Sequence, residues 1–296
     1  MQSGWQKGVL SLAYKITIQS DNGRTVHINA GTGLDGNLDP ISGVDVKISA
    51  SQGANQIGES ITDQTVGSVV RTISGECRTP AAAKELLRAV PPLSKGKLIL
   101  NDAYFCEYVV KRSPYVTREK GSRNKRTFST ILYCRLPYWQ SITPSPCLIG
   151  GYTPSFRFPV TYAKPHRFGT RSPFAFVNAL NPGDFQAAFS AVFSTAITTK
   201  NPVLLNCVTG AKLRLITDLV ADEQLKVYRD SDGLHVEKVS AGKAEDVFAC
   251  LDDDSSLFYL ESGDNLLKID ADDGAENLQC SVSYNAAYMG VYPDDF

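Results

Sequence analysis

Chemistry has little to work with in this chain. Among its 296 residues there are three histidines and two tryptophans. The cysteines are Cys77, Cys106, Cys134, Cys147, Cys207, Cys250 and Cys280, an odd number with no CxxC pair. That pattern excludes the usual thiol metal and redox motifs and predicts reduced core or strand residues in a protein folded in cytosol. No GxSxG, HExxH, P-loop or dinucleotide fingerprint occurs. His27 and His235 sit in alternating segments, where a satisfied strand residue is the ordinary reading; His166 lies in a proline-rich stretch. Carboxylates are abundant, but nothing selects a glycosidase pair from among them. The opening MQSGWQKGVLSLAYKIT lacks a continuous apolar core and a small-residue cleavage site, so no signal peptide is expected. No apolar run approaches the length of a membrane span, and no tandem repeat or low-complexity tract is evident.

What is present is strand pattern and uneven charge. The formal net charge is only −1. Residues 1–150 carry 18 Lys/Arg against 11 Asp/Glu, a balance of +7, and residues 151–296 carry 12 against 20, a balance of −8. Two surfaces with different partners, or two domains facing each other, would show such a split. In the first half YKITIQS and RTVHINA alternate around the turn signal Asp21–Gly23 and predict a hairpin. GVDVKISA and SVVRTISGEC predict two more strands, and the polar, glycine-bearing SQGANQIGESITDQT between them reads as a loop. One helix is predicted in TPAAAKELLRAVPP. Thr79 is its N-cap and Pro80 its first residue, Ala81, Leu86, Leu87 and Val90 form its apolar face, and Pro91-Pro92 stop it. KGKLILNDAYFCEYVVKRSPYV and KRTFSTILYCRLPYW continue the strands.

Six prolines between Pro137 and Pro165 mark extended connecting chain and a domain boundary. Beyond it, SPFAFVNAL, FQAAFSAVFSTAI, PVLLNCV, KLRLITDL, QLKVYR, HVEKVS, SLFYL, NLLKI and NLQCSVSYNAAY are separated by short, regular turn signals, the pattern of a β-sandwich. The most acidic segment, Leu251–Gly274, reads LDDDSSLFYLESGDNLLKIDADDG. A calcium loop beginning at Asp270 would need its bidentate ligand at Ser281, within a strand pattern, so the acids read as turn residues.

The strongest charge cluster is KRSPYVTREKGSRNKR. Lys111, Arg112, Arg118, Lys120, Arg123, Lys125 and Arg126 could track phosphates, with Tyr115 available for stacking. A solvated hairpin arm is the preferred reading, and an interface with an acidic neighbour would use the same charges.

The ordered set of features resembles the distal tail protein family of long-tailed bacteriophages. In the first half it is carried by SDNGRTVHI, SGVDVKISASQGANQIGESI, RTISGECRTPAAAKELLRAVPPLSKGKLIL and RTFSTILYCRLPYW. In the second it is carried by NPGDFQAAFSAVF, NPVLLNCVTGAKLRL, DDDSSLFYLESGDNLLKIDADDG and VSYNAAYMGVYP. The resemblance implies a mainly β chain. Residues 1–143 would be a ring-forming, tail-tube-like β-domain with one short helix, 144–165 a proline-rich linker or connecting strand, and 166–296 a galectin-like β-sandwich. It implies a non-enzymatic hexameric ring at the virion tail tip, made and assembled in the cytoplasm of the bacterial host. The ring would join the tail tube protein to a tail-tip hub or tail-associated protein and support a receptor-binding protein or touch a host surface glycan. No cofactor, metal, membrane insertion or nucleic acid is expected. Lys111, Arg112, Arg118, Lys120, Arg123, Lys125 and Arg126 are the candidate assembly interface. The alternative is a carbohydrate-binding β-sandwich module; Trp5 and Trp139 both lie outside the second half, so its sugar platform would have to be Tyr or Phe.

Overall fold

The computed structural model describes residues 14–118, 126–150, 152–154, 169–171, 176–230, 233–256 and 258–291. The chain divides into two compact units, one made of Met1–Ile142 and Tyr288–Phe296, the other of Thr143–Ala287.

The first unit contains β1 (Ile16–Ser20), β2 (Thr25–Ile28), β3 (Leu34–Asp39), β4 (Val46–Ser51), β5 (Ser60–Val66), β6 (Val69–Cys77), α1 (Pro80–Ala89), β7 (Lys95–Leu100), β8 (Tyr104–Arg118), β9 (Arg126–Cys134) and β10 (Trp139–Ser141). Its main sheet runs β2-β1-β7-β8-β9-β6-β3, with β10 beside β8. The predicted β1–β2 hairpin forms, with Ile16 opposite Ile28 and Ile18 opposite Val26. All four side chains are buried. Strand alternation then sets one face of the sheet inward, where Ile73, Leu98, Leu100, Tyr108 and Leu132 join them. The glycine in β7 is required by close packing, because a Cβ at Gly96 would lie 2.0 Å from the Gln19 carbonyl oxygen.

Helix α1 lies on this inward face, against β1, β2, β6 and β8. Thr79 caps it, its Oγ1 accepting from the Ala82 N–H at 3.2 Å. The buried stripe is Ala82, Ala83, Leu86 and Ala89, continued by Val90. Ala81 and Leu87, expected on the apolar face, point outward. The stripe falls at positions i, i+1, i+4, i+7 and i+8 from Ala82, with alanines at three of the five and Leu87 off it.

The segment read as a loop contains a strand. Ser60–Val66 pairs with Val46–Ser51 as a two-stranded antiparallel hairpin, β4–β5, separate from the main sheet.

The second unit is a sandwich of two antiparallel sheets, the architecture expected from its turn spacing. One sheet orders β11 (Ser145–Gly150), β24 (Leu278–Tyr284), β15 (Phe189–Thr195), β20 (Gln224–Arg229), β21 (Leu234–Ser240) and β22 (Lys243–Asp246). The other orders β14 (Phe176–Asn181), β23 (Gly263–Asp270), β17 (Val203–Asn206) and β18 (Lys212–Arg214). Two short ladders, β12 (Tyr152–Pro154) with β13 (Gly169–Arg171) and β16 (Thr199–Lys200) with β19 (Asp218–Leu219), and the short strand β25 (Ala287–Tyr288) complete the numbering. Inward residues of both sheets make one core, including Phe193, Leu225 and Val282 from the first and Leu204, Leu213 and Leu267 from the second.

Two departures from the expected layout concern its ends. Ser145–Gly150, within the proline-rich stretch, is a strand of this sandwich, paired along its length with β24. Its prolines do not prevent this, because β11 is an edge strand and Pro146 needs to donate nothing outward. At the other end the sandwich stops at Ala287, and Tyr288–Val291 belong to the first unit, where Tyr288 meets Tyr104 edge-on at 5.6 Å and Val291 joins the core. SLFYL, predicted as a strand, forms only an isolated bridge from Leu260 to Ala187 among its described residues.

Candidate assembly surface

The basic run is placed by β8 and β9. Lys111, Arg112 and Arg118 lie on β8, and Arg126 opens β9; Lys120, Arg123 and Lys125 lie outside the described residues. The pairing of β8 with β9 is irregular between Val110 and Tyr115, then regular to Arg118 opposite Arg126. Bulges let a long strand twist and redirect its side chains. Lys111–Arg118 and Arg126 are therefore strand within the main sheet. The run's described cations fall into two groups. Lys111 and Arg112 sit at the bulge, where the Arg112 guanidinium lies 5.4 Å from the Tyr115 ring centroid and the Thr130 hydroxyl donates to the Arg112 carbonyl at 2.8 Å. Arg118 and Arg126 form the other group, about 20 Å along the strand at ~3.3 Å per residue. Arg118 and Arg126 are directly opposed across the β8–β9 ladder.

The hairpin β4–β5 is a second surface; its first strand lies in the predicted GVDVKISA, and its second in the segment read as a loop. Every residue of both strands is exposed. The register places Val46 opposite Val66, Ile48 opposite Gln64 and Ala50 opposite Ile61. Cross-strand partners share a face, so one side of the hairpin is apolar while Lys47, Thr65, Ser49 and Asp63 occupy the other. Val46, Ile48, Ile61 and Val66 are 51–59% exposed. The signal that could have found it is the pair of valines and isoleucines framing a glycine-bearing tip.

The root of that hairpin is anchored. Arg71, 1% exposed, donates to the carbonyls of Pro40 and Ile41, and to that of Pro137 at 2.9 Å. Its guanidinium lies 4.3 Å from the Trp139 ring centroid, and Trp139 Nε1 donates to the Ile41 carbonyl at 2.6 Å. Cys106 and Cys134 lie near this cation with their sulfurs 3.6 Å apart. Burial pushes the Cys106 thiol well up, while the hydrogen bond from Cys106, helped by the Arg71 charge, holds that of Cys134 down.

In the second unit the acidic stretch is occupied by protein partners. Arg214 reaches Asp272 at 2.7 Å and Asp252 at 3.7 Å, and Asn201 donates to Asp272 at 2.7 Å. The Asp272 carboxyl is held below its ordinary value by the Asn201 hydrogen bond and the Arg214 charge, and that of Asp270 by Lys268 at 2.7 Å. The Asn265 side chain clamps the turn at Glu261, accepting from its N–H and donating to its carbonyl. Asp270 ends β23 as expected. Among the described residues no group of three or more His, Cys, Asp and Glu is placed to hold a metal. His27 bonds Thr17 at 2.9 Å, and His235 bonds Asp230 at 3.0 Å while stacking on Tyr228; both are strand residues engaged by neighbours.

No family model matches the sequence, and no curated protein matches it. Solved structures do. The Dit protein (gp 19.1) of SPP1, described as a paradigm of the hub adsorption apparatus of phages infecting Gram-positive hosts, aligns over 92% of this chain and 98% of its own, with TM-score 0.62 and 10% identity. The chain has the Dit fold. A second likeness is to the phage P2 baseplate in its activated conformation with calcium, at TM-score 0.50 and 12% identity over 94% of this chain and 99% of that one. At such identity the likeness is one of fold, and the surfaces of the Dit-like chain have to be read from its own residues.

Proposed function

We propose that the chain is a structural component of a phage tail tip: a ring of six copies that joins the tail tube to the tip apparatus, with the sandwich carrying outward contacts. The observation that carries this reading is the match to the SPP1 Dit hub protein along 92% of this chain and 98% of that one, which covers both units and not a shared sandwich alone. The residues agree with it. The described histidines are engaged in strands, Arg214 pairs with Asp252 and Asp272, Lys268 pairs with Asp270, and Asn201 donates to Asp272. On this reading the Dit-like chain acts by binding. Its partners are further copies of itself, the tail tube protein, and a tail-tip hub or receptor-binding protein. Among the described residues no helix is long and apolar enough to cross a membrane.

Within this reading Lys111, Arg112, Arg118 and Arg126 meet an acidic surface on the tube end or on a neighbouring copy. Charge reversal by Lys111→Glu with Arg112→Glu is expected to leave melting unchanged and to weaken docking to the tube protein. The loss should be larger at low salt than at high salt, because exposed charges beyond ~10 Å are screened at 0.1 M. Light scattering of the mixture at two ionic strengths reads this. Unaltered docking, with loss of nucleic-acid retention instead, would show that the basic strands serve nucleic acid.

A further inference from the structure

We propose that β4–β5 is an assembly arm whose apolar face docks on the outward face of the main sheet of a second copy of this chain. The inference rests on the reading of the chain as self-assembling and names the surfaces that do it.

The arm has an unpaired need. A two-stranded hairpin in water is marginal by itself and requires a third layer or strand against its hydrophobic face. Among the described residues β4 and β5 pair only with each other, and Val46, Ile48, Ile61 and Val66 remain half exposed. Its root is nevertheless held by the buried Arg71 and by Trp139, so the hairpin is presented from a fixed base.

The same unit offers the complement. On the side of the main sheet away from α1, the register aligns Lys95, Val109, Tyr133 and Val70 across β7, β8, β9 and β6. Val109 and Tyr133 are 48% and 40% exposed. Four strands at ~4.8 Å spacing give a row about 14 Å long, and Val46 to Ala50 along β4 spans about 13 Å. Charge agrees with length. The arm segment, residues 43–67, carries Asp45, Glu59 and Asp63 against Lys47, while the face carries Lys95 and Lys97 against Glu107. Opposite charges rimming an apolar contact fix its register.

Because arm and face are different surfaces of one chain, the contact is heterologous. A docked pair still has one arm and one face free, so repetition closes into a ring or extends as a filament. A symmetric dimer would leave neither.

The test uses two variants of the full chain, Ile48→Asp with Ile61→Asp on the arm, and Tyr133→Asp on the face, each checked for unchanged melting. All substituted side chains are exposed, so folding is expected to survive. Each variant should be single-copy by native mass spectrometry where the wild type assembles, a weakening of about 30-fold or more for a central apolar contact. Mixed in equal amounts, the two should form a two-copy complex and nothing larger, since only one intact arm–face pair remains. Arm variants that assemble as the wild type does, or a mixture that stays single-copy, would overturn the inference and leave self-assembly standing. A wild type that is single-copy at every concentration would overturn the self-assembly reading and the arm with it.

Discussion

Arg71 shows how one side chain can organise the first unit. Among the described residues this buried cation is met by no carboxylate but by backbone carbonyls, the Trp139 ring and the Cys106–Cys134 pair. Hydrogen bonds from a charged donor are worth ~1.5–3 kcal/mol each, and orphaned buried carbonyls add to the loss when the donor goes. Arg71→Met is therefore expected to destabilise the unit by about 2–4 kcal/mol despite its apolar replacement. Arg71→Lys should not restore it, because a point charge cannot serve three separated carbonyls as the planar fork does. Urea unfolding measures both; an unchanged midpoint in the methionine variant would show that the tether contributes nothing. In the sequence this residue was legible only as one polar position of an alternating strand, RTISGEC. The carbonyls it meets lie 31, 30 and 66 positions away, and no local pattern reports such distances.

At the scale of elements, α1 separates what periodicity reveals from what it leaves open. Its cap, first residue and end followed from Thr79, Pro80 and the two prolines. Its apolar face did not fully follow, because hydrophobicity favours Leu87 over Ala82 and Ala83 while contact distance to the sheet favours the alanines. The two adjacent leucines make a test. Leu86 is fully buried and Leu87 is 47% exposed. Leu86→Asp should cost several kcal/mol, as an unpaired buried charge does, and Leu87→Asp about 0.5 kcal/mol or less. Equal melting temperatures for the two would contradict the packing of the helix. The β4–β5 hairpin was hidden for a related reason. Alternation is a signature of strands with one buried face, and SITDQTV buries neither within its own chain. The basic run was half legible: its strands follow from Tyr108–Val110 and Phe128–Leu132, but the irregular pairing beside Arg112 leaves no mark in composition.

The whole molecule was legible as a set of ordered features and opaque in its boundaries. Strand-rich halves and an alternating sandwich could be read directly; the return of Tyr288–Val291 to the first unit could not, since VSYNAAYMGVYP runs on without a turn signal and its contact with Tyr104 is non-local. Charge belongs to this scale too: a first half at +7 and a second at −8 suit a component with distinct faces for distinct neighbours. The claim that joins these scales is that the Dit-like chain works as a ring. Native mass spectrometry of the purified chain, alone and with the tail tube protein, tests it most directly. The expected species has six copies, six times 32.2 kDa or about 193 kDa, and it persists in the complex with the tube. A chain that stays at the mass of one copy, alone and with the tube protein, would contradict the account.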